Sequence, residues 1–443
     1  MSEAVLRFRT KALYASSSIG SEGLIESRGL WLLYFYAPPS HAKTAPLLGV
    51  VIAGAVLASV PVVCAFVDPL VGYWSDRTAS RLGRRLPFIL AATPFWALFA
   101  FLLFVPPRGA GATIAAVYLG VVFSLYSLSS ITSGGPYEAL LPEIATTSDE
   151  RLSVNGLKVY FGATGGAVGL VASGLIIDAF GFRVMALVMA SLALVFRYIG
   201  TAGIWKHVNR TQPPARVSIR RAARETFSNR PFLLYLPAFV LFQVGLTMTR
   251  ASLPYYVKAL LGFTKTGTTV AVLTAVMIVA LLLSIPMHGR LARRSSKRQT
   301  FRRAMLGAAV VFPLLAFVGL LPHVPAAAEI AVLMAVAGIP IAGIYLFPAT
   351  LTADIIDYDS LRTGMRREAT YYQLHSFVEQ VATSLAPAIL AGLLILGDTA
   401  SNPIGIRLVG PVAGLLVLIG YLVFRRYDLP DDVLAAPPAV TPS

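Results

Sequence analysis

Twelve long apolar runs separated by short connectors constrain this chain more than any other feature. They lie near 11–37, 45–73, 86–106, 113–142, 156–179, 184–205, 231–260, 268–288, 304–322, 329–355, 371–396 and 404–424. About 20 apolar helical residues cross a hydrocarbon core roughly 30 Å thick, and longer runs cross with tilt. Composition agrees, with 56% of the 443 residues hydrophobic and only 13% charged, where soluble domains carry about a quarter. The expected fold class is an all-α membrane protein with twelve transmembrane helices. The run 113–142 contains Pro136 and is expected to bend or break near one end.

The net charge of +16 does not point to nucleic acid, because the positive residues fall in the connectors. One set of connectors holds Arg77, Arg81, Arg84 and Arg85, then Arg151 and Lys158, then the basic 206–230 stretch, Arg290–Arg303 and Arg362–Arg367. The alternate set holds only Lys43, Arg108, Arg183, Lys265 and Arg407. Lys and Arg accumulate on the cytoplasmic side. Both termini are therefore expected in the cytoplasm, in a multi-pass protein of the inner or plasma membrane whose one certain partner is the lipid bilayer.

The longest connector, 206–230, contains Pro213-Pro214 and divides six runs from six. This predicts an N-terminal bundle over 11–205, a basic cytoplasmic linker over 206–230, a second bundle over 231–426 and a disordered tail over 427–443. Such paired bundles hold a solute site at mid-membrane. The single cysteine, Cys64, excludes an internal disulfide and a cysteine-built metal site. No signal peptide is visible, and no G-x-x-x-x-G-K-[ST] loop suggests an ATP-driven pump. A carrier without a cofactor, rather than an enzyme, is expected, and one copy is expected to suffice.

Charges inside the apolar runs mark where chemistry can occur. Asp68 lies eight residues before the basic loop that begins at Asp76, about 12 Å deep along a helix. A charge there costs at least ~2.5 kcal/mol and is kept for function. His375 and Glu379 are four apart, on one helix face, and form either a proton relay or an interhelical hydrogen bond. Glu22 and Glu26 are likewise one turn apart and suit a polyol or a cationic group. Arg250 must face a cavity, an acid such as Glu379 or Glu138, or a substrate carboxylate, whereas Arg197 is expected to snorkel. Tyr137 and Tyr372 could stack on a sugar ring or anchor at the interface.

The string Asp68-Pro69-x-x-Gly72-x-x-x-Asp76-Arg77-x-x-Ser80-Arg81-x-Gly83-Arg84-Arg85 resembles the loop between the second and third spans of the major facilitator superfamily. Within it, the chain is similar to the glycoside–pentoside–hexuronide:cation symporters, typified by the melibiose permease, and to sucrose-type carriers. Pro136-Tyr137-Glu138-Ala139-Leu140-Leu141-Pro142-Glu143 resembles that family's fourth-span ending. Arg151 with Lys158 resembles the start of its fifth span. Ala353-Asp354-Ile355-Ile356-Asp357-Tyr358 with Arg362–Glu368 resembles its tenth-to-eleventh connector.

The resemblance implies two pseudo-symmetric six-helix bundles and a cytoplasmic gate at Asp76, Arg77, Arg81, Arg84, Arg85, Asp354 and Asp357. The gating reading is favoured for Asp76 with Arg77; Arg84 and Arg85 serve equally as headgroup anchors. The expected coupling site is Asp68, with Glu138, His375 and Glu379 as supporting candidates from their own positions in the spans. Solute contacts are expected at Glu22, Glu26, Tyr137, Lys158, Arg250, Tyr372 and Gln380.

Departures from the pattern are informative. Cys64 stands where such carriers keep a second acid, Gly134 where an acid holds sugar hydroxyls, Glu138 where they have an aromatic, and Gln380 where they have a lysine. A sodium ion wants several oxygen ligands, so a proton is expected as the co-transported ion before sodium. The expected function is cation-coupled symport of a small polar solute, a sugar or glycoside. The alternatives are a carrier or exporter of a lipid or drug-like solute, and a transport-incompetent sensor, against which the retained intramembrane acids argue.

Overall fold

The computed structural model describes residues 6–40, 45–78, 80–107, 109, 111–145, 147–208, 228–364 and 368–429. The expectations for the middle of the basic linker, 209–227, and for the tail from 430 onward lie outside the described residues. Among the described residues, twelve helical rods follow one another. The first six are α1 (Phe8–Tyr36), α2 (Val50–Arg77), α3 (Leu86–Leu102), α4 (Ala112–Ile144), α5 (Ser148–Phe180) and α6 (Phe182–Ile204). The second six are α7 (Arg230–Leu260), α8 (Thr266–Arg294), α9 (Lys297–Phe317), α10 (Ala326–Thr363), α11 (Thr370–Leu394) and α12 (Ile404–Phe424).

Ten rods are long and apolar enough to cross a membrane; α3 is a shorter apolar helix, and α1 carries more polar residues. The protein is thus an all-helical membrane protein of two six-helix bundles. The rods run past the apolar limits at several ends. α5 starts at Ser148, where the Thr147 side chain caps the Glu150 N–H at 3.3 Å. α10 continues to Thr363 and stops at Gly364, whose φ of 69° needs no Cβ penalty.

Proline sets the internal breaks. It lacks an N–H and suits the first turn of a helix, so a chain can stop and restart at x-Pro. In α2 the first helix ends at Ala65 and a second begins at Asp68-Pro69. α4 breaks after Glu138 and restarts at Leu141-Pro142, α10 restarts at Pro348, and α11 at Ala386-Pro387. The break in α4 falls just beyond Pro136, as its position foretold.

The chain divides into two compact units, Met1–Ala215 with Leu253–Val272, and Arg216–Ser252 with Leu273–Ser443. In the first unit α1 packs mainly on α5 and α6. The α1–α5 approach is so close that a Cβ on Gly165 would overlap the Ile19 carbonyl, and one on Gly169 the Gly23 carbonyl. Trp31 closes the same seam by donating Nε1 to Ser173 Oγ at 2.9 Å. The segment 253–272 joins this unit through Tyr255, whose hydroxyl donates to the Ala37 carbonyl at 2.7 Å. Asp178 accepts the Gly267 and Thr268 N–H groups at 3.0 and 2.6 Å, at the start of α8.

Candidate functional site

Glycine packing positions the α1 acids. Because α5 meets α1 backbone to backbone at Gly165 and Gly169, its neighbouring Gly162 and Gly166 lie under Glu22 and Glu26. A Cβ there would stand 3.4 and 3.6 Å from the two Cγ atoms. Glu22 is the midpoint of the 29-residue α1. Ser18, Ser21, Glu22, Ile25, Arg28 and Gly29 follow helical spacing and form the less buried stripe of α1, while Ser17, Gly20, Leu24, Ser27 and Trp31 are buried. A stripe this polar is costly against lipid.

Asp68 sits at the first turn of the second half of α2, where free N–H groups favour a carboxylate. It is exposed, and its Oδ1 would be 3.3 Å from a Cβ on Gly135 of α4. Gly134 beside it has open space where a Cβ would go. Glu138 forms an ion pair with Lys158 across α4 and α5. The pairing gives both residues a partner inside the first unit.

Tyr137 is placed differently from a solute-stacking ring. It is 1% exposed, stacks on Tyr14 with centroids 4.8 Å apart, and donates its hydroxyl to the Tyr14 carbonyl at 2.7 Å. Its ring therefore belongs to the packed interior. Arg197 does not snorkel. It is buried, lies over Tyr137 at 4.4 Å and Trp96 at 5.4 Å, and donates to Ser21 Oγ at 3.1 Å.

The basic loop folds on Gly83, whose φ of 97° turns the chain so that Arg84 and Arg85 point at the end of α4. Glu143, 7% exposed, gathers both. Its Oε1 accepts from Arg84 Nη2 at 2.6 Å and Nε at 3.1 Å, and Arg85 Nη1 is at 2.9 Å. Arg85 also reaches Asp76 at 3.0 Å and the Ala139 carbonyl. The partner of Asp76 is thus Arg85, whereas Arg77 lies over the Tyr73 ring at 4.0 Å and Arg81 is exposed. Arg84 and Arg85 tie three helix ends together. Glu143 was visible in the sequence only as part of a motif; an acid following Leu-Leu-Pro at a span end was its signal.

In the second unit α7 and α11 carry a polar chain. Tyr235, Phe239 and Gln243 recur at intervals of four on α7 and meet His375 and Glu379 on α11. The Tyr235 hydroxyl is 3.3 Å from His375 Nε2, His375 Nδ1 is 3.8 Å from Glu379 Oε2, and Gln243 Nε2 donates to Glu379 Oε1 at 2.8 Å. Arg250 is near enough for its charge to act on Glu379. Tyr372, Ser376 and Gln380 form the exposed stripe of the same α11, one helical turn or less from His375 and Glu379. Asp354 pairs with Lys297 at 2.6 Å, and Asp357 lies one turn from it, half-buried on α10. The polar members of the α7 stripe were the signal that sequence reasoning passed over.

Comparison with known proteins places these features in a family. The solved nucleoside transporter NupG superposes with a TM-score of 0.64 at 13% identity, covering 95% of this chain and 99% of its own, and so shares the major facilitator fold. The isoprimeverose transporter of Lactiplantibacillus pentosus is 24% identical over 84% of this chain and 77% of its own length. The sodium-dependent lysophosphatidylcholine symporter 1-B of Danio rerio is 23% identical over 83% and 78%. Residues 13–420 match the family described as MFS/sugar transport protein, and the chain belongs to that family, whose members are membrane transporters and not enzymes.

Proposed function

We propose that the protein is a secondary active transporter that carries a sugar or glycoside in symport with a proton by alternating access. The observation that carries this reading is the open polar stripe of α1, with Glu22 at the middle of a membrane helix and Glu26 one turn on. Carboxylates accept hydrogen bonds from sugar hydroxyls, and charge-assisted bonds of this kind are about twice as strong as neutral ones. Asp68 is the first coupling residue, because it is an exposed acid at a break inside a span. The Tyr235–His375–Glu379 chain is the second. Lys158, Arg250, Tyr372 and Gln380 remain solute contacts on this reading, and the Arg84–Arg85–Glu143 cluster, with Asp354 and Asp357, steadies the cytoplasmic ends. Bundles 11–205 and 231–426, the linker 206–230, cytoplasmic termini and a monomeric working unit complete the proposal.

A second reading, carriage of a lipid-like solute, is favoured by Gly134 and Gln380, which replace an acid and a lysine of melibiose-type carriers. The relative named for lysophosphatidylcholine points the same way and is sodium-dependent by name. Proteoliposomes under an imposed pH gradient, with and without sodium, separate the readings. Accumulation of a labelled glycoside driven by the pH gradient alone is expected. Uptake that follows sodium and ignores pH would replace the proton, and uptake of a lysophospholipid but no glycoside would replace the sugar.

A further inference from the structure

Arg28 lies on the open stripe of α1, eight residues before that helix ends at Tyr36 and so about 12 Å from its end. Its guanidinium carbon is 5.3 Å from the centroid of the Phe123 ring and 5.3 Å from that of Tyr126, both on α4. The two rings are buried and lie nearly parallel, 15° apart. The ring faces hold a cation in place but do not answer its five N–H donors with paired oxygens. The Nε is buried with no hydrogen-bond partner, and among the described residues the charge is answered by these rings alone. A guanidinium fixed at this depth and left short of acceptors is built to receive them from elsewhere.

We propose that Arg28 recognises an anionic group on the transported solute, a carboxylate or a phosphate. This rests on the transport reading above and narrows it. The planar fork of arginine matches both groups with paired hydrogen bonds. Glu22 stands six residues earlier on the same stripe, about 9 Å along the axis. It repels a second negative charge and accepts hydroxyls. The solute class is therefore one with a single anionic group joined to a hydroxyl-bearing body.

The test is competition binding to the purified protein, with counterflow in proteoliposomes for the sugars, using two matched pairs. 4-Nitrophenyl β-glucuronide against 4-nitrophenyl β-glucoside probes the carboxylate, and lysophosphatidylcholine against a monoacylglycerol probes the phosphate. In one pair the anionic member should bind roughly tenfold to a hundredfold more tightly, the span expected of a charge-assisted contact. Arg28→Gln should abolish that preference while leaving the neutral member's affinity unchanged, and Arg28→Lys should restore part of it. Equal binding within both pairs, or a preference that survives Arg28→Gln, overturns the proposal. Glucoside carried with no charge preference sinks the Arg28 proposal and leaves the sugar reading standing. If none of the four is bound or carried, both fall.

Discussion

Replacing Glu143 by alanine tests whether the basic loop is held by one buried acid. Glu143 Oε1 takes two bonds from Arg84, at 2.6 and 3.1 Å, and stands 2.9 Å from Arg85. Breaking a buried pair by removing one partner costs about 3–5 kcal/mol, mostly because a charge is left uncompensated. Here Arg85 retains Asp76 and the Ala139 carbonyl, so the cost falls at the low end, about 3 kcal/mol, or roughly a hundredfold in the folded ratio. Asp76→Asn is the contrast. The Asp76 side chain is 39% exposed, and pairs open to solvent are worth about 0–1 kcal/mol. Thermal and denaturant unfolding in detergent should therefore rank Glu143→Ala well below Asp76→Asn, and a double-mutant cycle should couple Glu143 to Arg84 more strongly than Asp76 to Arg85. Equal stabilities, or the reverse order, would refute the reasoning.

Three further outcomes are expected. Reporter fusions at Arg426 and within 206–230 should both report a cytoplasmic location; an external signal at either would overturn the orientation drawn from Lys and Arg. Gly169→Ala should destabilise by about 1–3 kcal/mol, because its Cβ would lie 2.9 Å from Gly23 backbone atoms. Gly134→Ala, with nothing within 4 Å, should instead gain a few tenths to about 1 kcal/mol from helix propensity; unfolding that moves both variants the same way removes the packing argument. Asp68→Asn should abolish accumulation driven by a pH gradient while preserving solute counterflow. If Asp68→Asn accumulates normally and Glu379→Gln does not, coupling belongs to the His375–Glu379 pair.

The order of the spans was legible because hydropathy and helix length obey one membrane thickness. Pro136 marked the region of the α4 break, although the helix runs through it and restarts at Leu141-Pro142. The polar first turn of α5 and the extension of α10 to Thr363 were not, since a helix that leaves the membrane loses the apolar signal while keeping its hydrogen bonds. Spacing alone put His375 and Glu379 on one face, but it could not show that Tyr235 and Gln243 meet them, because that depends on how α7 and α11 pack. The same limit explains Tyr137 and Arg197. A ring and a cation in apolar runs look available for solute or headgroups until the helices that bury them are known.

The restart of α2 at Asp68-Pro69 has a consequence for hydration. Pro69 has no N–H to return to the Ala65 carbonyl four residues earlier, and the turn through Phe66 and Val67 bonds back to Val63 and Cys64 instead. An unanswered carbonyl in hydrocarbon costs several kcal/mol, and Asp68 three residues on is exposed, so this break is where water is expected in the span. Amide exchange measured along α2 should then be fastest in its interior, between two protected halves. A helix that was dry along its whole length would show the opposite profile, with fraying confined to its ends.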